Sequence, residues 1–253
     1  MEMLNQIIII AASVGLASGA IGTFIVLEHM ALAGDALAHV ALPGIALALA
    51  YNTDPFLGVL ASLLIAAYLV WFVRIRTKLP SEALIGVLFT ASLAVGILTI
   101  PDTEIVESLF GEFPALPSWK FVFIITSALA LTAILFFKTK QFVFLNTSRE
   151  LAKAYGIRER TELLLLVIFA VIVSLGIKLV GTLLMGALTI IPALIARNIA
   201  RSIKSYLLFS AFLGSAISVA GVLLANQYNF LPGPTIVLLG VFCFLLSLVF
   251  IRK

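Results

Sequence analysis

Asp35 and His39 are the residues of this chain whose types and spacing best suit chemistry. They stand inside the apolar stretch Met30-Ala-Leu-Ala-Gly-Asp-Ala-Leu-Ala-His-Val-Ala-Leu-Pro-Gly44. Of the 12 acidic residues, Asp35 alone sits well inside a hydrophobic segment, and His39 is one of only 2 histidines. A carboxylate at bilayer depth costs several kcal/mol, about 3 or more, so it calls for a partner or a function. Four residues apart, the two side chains share one face of a helix. A carboxylate and an imidazole one turn apart can hold a divalent transition metal. The same pair also suits a proton path, or a structural hydrogen bond that staples two helices.

Pro43 adds to this constellation. It has no N–H, so the carbonyl of His39 loses its helical hydrogen bond and must be satisfied by protein, water or an ion. Gly34, Ala36, Ala38, Ala41 and Gly44 are small and permit close helix packing or a narrow conduit. His29, beside Glu28, reads as an interfacial residue at the entrance of the segment. A second stretch, Gly181-Thr-Leu-Leu-Met-Gly-Ala-Leu-Thr-Ile-Ile-Pro192, mixes Gly, Thr and Pro in a short apolar segment. Such segments line cavities in transporters or serve as kinked packing helices.

The elements that position these residues follow from composition. The chain has 253 residues, 62% hydrophobic and 11% charged, far below the roughly 25% charged of soluble domains. This fits an all-α, polytopic membrane helix bundle built as a single domain over 1–253. Apolar segments fall at about 5–27, 30–51, 56–73, 82–100, 119–137, 161–177, 179–196, 205–225 and 231–250. The expected count is therefore about nine spans, with eight as the alternative. No basic residue precedes the first apolar run, so that run is expected to be a retained span rather than a cleaved leader. The lone cysteine, Cys243, reads as a small packing residue.

Charge sign agrees with span parity. All basic residues except Lys120 and Lys178 follow the third, fifth, seventh or ninth span, which alternation places on one side. The positive-inside rule then sets the N-terminus outside and the C-terminus inside. Asp54, Asp102, Glu104, Glu107 and Glu112 fall on the other side, most of them in an outer loop at 101–117. That loop either lowers the barrier for an incoming cation, with Glu107 as a weak candidate ligand, or fixes the register of a docking protein, or is simply solvated. The net charge of +4 is a matter of topology and gives no reason to expect nucleic acid. On the inside, 139–160 is the longest loop. Within it Asn146-Thr-Ser-Arg-Glu150 has the form of a capping box, and Gly156 ends the short helix it would start. A cationic helix at about 147–156 would dock a partner protein or lie on anionic lipid. The chain has no Gly-x-x-x-x-Gly-Lys-Ser/Thr loop, so any ATP-driven process needs a nucleotide-binding partner.

Taken together, the chain resembles the permease subunit of bacterial and archaeal ABC importers for zinc and manganese, or iron. The resemblance rests on Gly34-Asp-Ala-Leu-Ala-His-Val-Ala-Leu-Pro-Gly44, on Gly181 to Ala193, on Leu231-Pro-Gly-Pro-Thr-Ile236 and on Ser108-Leu-Phe-Gly111, in that family's style. Glu150-Leu-Ala-Lys-Ala-Tyr-Gly156 is similar to the Glu-Ala-Ala-x-x-x-Gly signal of permease coupling loops, with Leu151 where that pattern has Ala. The resemblance implies a homodimer in the cytoplasmic membrane of a prokaryote. Two copies of an ABC ATPase subunit would dock through Glu150, Ala152 and Gly156, and a separate extracytoplasmic protein would deliver the metal. It implies no tightly bound cofactor. The cargo would be Zn²⁺, Mn²⁺ or Fe²⁺, passed along a transient site at Asp35 and His39. His29 departs from the family, where Arg is usual. Two other readings stay open on the residues alone: a proton-coupled secondary metal transporter, or an ABC permease for a metal chelate. A membrane enzyme is disfavoured, because catalysis usually needs more titratable groups at depth than one Asp and one His.

Overall fold

The computed structural model describes residues 2–77, 79–99, 109–110, 117–147, 160–182 and 184–250, and all regular structure among them is helical. The elements are α1 (Glu2–Leu27), α2 (Ala31–Ala50), α3 (Pro55–Thr77), α4 (Ser81–Thr99), α5 (Ser118–Phe137), α6 (Thr139–Thr147), α7 (Arg160–Val180), α8 (Met185–Ile199), α9 (Ile203–Tyr228) and α10 (Pro232–Ser247). A 3₁₀ turn, Leu248–Phe250, closes the described chain. Six of the helices, α1, α3, α4, α5, α7 and α9, are long and apolar enough to cross a membrane. Three more, α2, α8 and α10, are apolar but shorter.

α1 is the buried axis of the bundle. Ala11, Val14, Ala17, Ala20 and Ile21 are fully shielded, and the helix packs on α9, α8, α5 and α7. Small residues make this possible, because in an apolar surround helices associate through close backbone packing rather than hydrophobic burial. Gly15 and Gly19 lie four apart and face Gly214 and Ser210 of α9 so closely that a Cβ on either glycine would strike main-chain atoms. The Ser210 hydroxyl donates to the Gly19 carbonyl at 2.5 Å, which locks the crossing. α2 is clasped in the same way: Gly44 and Gly58 of α3 face each other with no room for a side chain on either.

Two ion pairs tie helix ends together. Arg74 at the end of α3 pairs with Glu162 at the start of α7, and Lys120 on α5 pairs with Asp54 in the turn before α3. Lys120 also lies over the Trp119 ring, 5.4 Å from its centroid. Lys120, one of two exceptions to the basic-residue pattern, thus has a specific acidic partner.

Three sequence expectations are corrected. The inside loop does not begin at 139, because Thr139–Thr147 forms α6. Phe142 anchors it, fully buried and edge-on to Phe24 at 5.2 Å. Thr147, expected to cap the start of a following helix, is the last helical residue of α6. The boundary between the sixth and seventh segments lies not at 178 but at 181–184. α7 runs on to Val180, and Gly181 turns the chain with φ 86°, a backbone state that glycine adopts without strain. The rest of the expected docking segment, with Glu150, Ala152 and Gly156, lies outside the described residues, as do Glu107 and most of the 101–117 loop.

Candidate functional site

α2 runs unbroken through Pro43 and lies among α3, α4 and α8. Its face toward α4 and α8 carries His39 and Asp35. His39 is only 5% exposed. Its Nδ1 lies 3.0 Å from the main-chain carbonyl of Asp35, one turn back. A carbonyl oxygen only accepts, so Nδ1 carries the hydrogen and donates it. The neutral imidazole then holds its lone pair on Nε2, the form in which histidine ligates a metal, with a carbonyl fixing tautomer and ring plane from behind. Phe89 of α4 holds the ring from the side. It stands edge-to-face with His39, centroids 5.1 Å apart and planes at 89°.

Asp35 is half-buried. Its carboxylate takes no hydrogen bond from the described residues. α8 reaches it from the other side. A Cβ on Gly186 would stand 2.5 Å from the Asp35 nitrogen and 2.7 Å from its Cα, and Gly34 faces Gly186 in turn. The Gly181 to Ala193 segment, singled out for its Gly, Thr and Pro content, is therefore the wall on which Asp35 rests. α8 also passes through Pro192 as a continuous helix, with Thr189 fully buried and its carbonyl against Gly22 of α1.

A third motif closes on the second. The turn into α10 places Gly233 against the carbonyls of Val180, at the end of α7, and of Phe110. A Cβ there would be 2.5 Å from the Phe110 oxygen and closer still to that of Val180. Gly233 thus brings the turn into α10 against Phe110, Val180 and Leu184, and its lack of a side chain is what lets them touch.

The Asp35 carboxylate and His39 Nε2 are a mixed oxygen and nitrogen donor set. Such a set suits zinc, manganese or ferrous iron. No third His, Cys, Asp or Glu side chain joins them among the described residues. Held to these two donors, one chain could offer a metal at most two ligands from this pair, short of the four of a typical zinc site. Polarity in an apolar segment is what singled out Asp35 and His39 as the candidate pair in the sequence. That signal missed Phe89 and the Asp35 carbonyl, because an aromatic residue in an apolar helix and a main-chain oxygen carry no mark in a sequence.

The chain as a whole is similar to known proteins. Residues 1–251 match the ABC 3 transport family model. A manganese import system permease protein, ScaB of Streptococcus gordonii, is 32% identical over 97% of this chain and 90% of its own. A high-affinity zinc uptake system membrane protein, ZnuB of Haemophilus influenzae, is 26% identical over 98% and 97%. Among solved structures, PsaBC from Streptococcus pneumoniae in complex with Fab has a chain 31% identical to this one. It superposes with a TM-score of 0.85, covering 98% of this chain and 91% of that one. With a family model that spans nearly its whole length and a relative of this identity, the chain belongs to the ABC 3 transport family.

Proposed function

We propose that this chain is the membrane-spanning permease subunit of an ATP-driven importer for divalent transition metal ions. What carries the reading is the placing of Asp35 and His39 on one face of a helix, with Nδ1 held by the Asp35 carbonyl and Nε2 and the carboxylate offered as donors. The names of the relatives support manganese or zinc as cargo, and ferrous iron has the same ligand preferences.

In this reading an extracytoplasmic protein delivers the ion, and the chain pairs with a second copy. Two Asp35 carboxylates and two His39 imidazoles then complete a four-ligand site. The site binds transiently, because an ion held tightly does not move on. Two ATPase subunits dock on the cytoplasmic face through the 147–156 segment with Glu150, Ala152 and Gly156, and their closure shifts the helices that frame the site. Glu107 and its acidic neighbours guide the ion or the delivery protein at the outer face. The nine apolar helices all cross the membrane, with the N-terminus outside and the C-terminus inside.

The test is metal uptake by vesicles holding this protein, its ATPase and its delivery protein, with zinc, manganese and iron in turn. ATP-dependent uptake that vanishes in Asp35→Asn and in His39→Ala, with both variants still assembled, is the expected result. Uptake that ignores ATP and follows a proton gradient would mean a secondary transporter instead.

A further inference from the structure

The end of α1, the end of α8 and the start of α9 border an open cavity of about 410 Å³, separate from the Asp35–His39 site. His29, Arg197, Arg201, Ser202 and Tyr206 line it. Neither arginine pairs with a carboxylate among the described residues. Glu28, next to His29 in the chain, does not line the space.

α9 starts at this cavity. Ser202 caps it, its hydroxyl accepting from the Ser205 N–H at 3.2 Å. The N–H groups of Ile203 and Lys204 precede the first intrahelical bond, from Tyr206 N–H to the Ser202 carbonyl at 2.8 Å. Two guanidiniums and a helix N-terminus together favour an oxyanion.

Tyr206 gives the independent sign of a ligand. It is 5% exposed, and its buried hydroxyl, like those of Ser18, Ser81, Thr182 and Ser218, has no hydrogen-bond partner among the described residues. Buried hydroxyls nearly always find one. His29 points the same way. It closes α1 in the left-handed region, φ 57°, its N–H bonded to the Val26 carbonyl and that of Met30 to Ile25. Glycine would hold that conformation with less strain, and glycine would give the cavity no imidazole.

Ile203 lines a second space as well, an apolar groove of about 530 Å³. Phe137, Val143, Leu207 and Leu208 form its walls, with Lys140 and Lys204 among them. Phe137 and Leu208 are exposed. A soluble phosphate has no use for such a groove. A phospholipid uses both parts, and basic pockets between membrane helices select anionic headgroups. We propose that the cavity binds the phosphate of an anionic phospholipid whose acyl chain lies in the adjoining groove.

The experiment is a titration of the purified full chain, in a neutral detergent, with short-chain phosphatidylglycerol. Short-chain phosphatidylcholine and inorganic phosphate serve as competitors. Saturable binding is expected, weakened about tenfold in Tyr206→Phe and further in Arg197→Gln combined with Arg201→Gln. Phosphatidylcholine should compete poorly and inorganic phosphate hardly at all. Tyr206→Phe keeps the ring that fills the wall, so its loss of affinity is not a folding effect. Equal affinity in the parent and both variants overturns the proposal. So does displacement by inorganic phosphate at matching concentration, which would make this a free-phosphate site. Variants that bind lipid normally but fail to assemble with the ATPase would make it a protein-docking surface and likewise overturn it.

Discussion

Gly186 of α8 rests on the main chain of Asp35. A Cβ at 186 would stand 2.5 Å from the Asp35 nitrogen, and the obstacle is backbone that cannot rotate away. Gly186→Ala therefore has to push α2 off α8 at the proposed ligand Asp35. The expected cost is about 1–3 kcal/mol of stability, and a larger effect on transport because the displaced residue is the carboxylate. Gly34→Ala is the milder companion, since its Cβ would meet Gly186 Cα at 3.3 Å. Thermal unfolding and metal uptake measured on both variants should rank them in that order. Normal uptake in Gly186→Ala would show that the α2–α8 contact does not position the site.

Phe89 is expected to matter for transport without contributing a ligand atom. Its edge-to-face contact fixes the imidazole plane while the Asp35 carbonyl fixes the tautomer. Phe89→Ala should lower stability by about 1 kcal/mol beyond the loss of packing. It should also reduce uptake about tenfold or more by freeing the ring, given how steeply a reacting group's misplacement counts. Phe89→Tyr keeps the edge and should retain most activity. If Phe89→Ala transports as well as the parent, the ring is held by other means.

The glycines separate packing from mere helix propensity. Gly86 of α4 meets nothing within 4 Å where a Cβ would be, whereas Gly44 and Gly58 meet each other's carbonyls. Gly86→Ala should be neutral or stabilise by up to about 1 kcal/mol, since alanine loses less backbone entropy in a helix. Gly44→Ala should destabilise and impair uptake, because α2 and α3 would have to part. Denaturation midpoints for the pair decide the matter, and equal midpoints would remove the close-approach account of the α2–α3 contact.

The places of the apolar helices were legible in the sequence, because lipid demands long uncharged runs and charges mark their ends. The candidate pair stood out for the same reason: Asp35 and His39 are polar where polarity is costly. Which helix is the axis was not. α1 and α5 are both apolar all round, and hydropathy cannot tell the buried Val14 from the exposed Phe137. α6 escaped because nine residues carrying Lys140, Gln141 and Asn146 look like loop until Phe142 finds Phe24. The end of α7 was misjudged because Lys178 read as a boundary, although a helix tolerates a cation in its last turn and Gly181 makes the actual break. Long-range pairs such as Arg74 with Glu162 leave no local trace at all.

Those two ion pairs supply a graded prediction. Arg74 and Glu162 have side chains 15% and 20% exposed, while Lys120 and Asp54 are at 25% and 28%. Water and salt reach the second pair more easily, so double-mutant cycles should give it the smaller coupling, about 0.5–1 kcal/mol and fading as salt rises. The Arg74–Glu162 pair should exceed that and respond less to salt. Its single variants should also be the more damaging, since each strands a charge with less access to water. Arg74→Gln and Glu162→Gln, alone and together, measured by unfolding at low and high salt, provide the check. A coupling near zero would mean that α3 and α7 are held by their apolar faces alone.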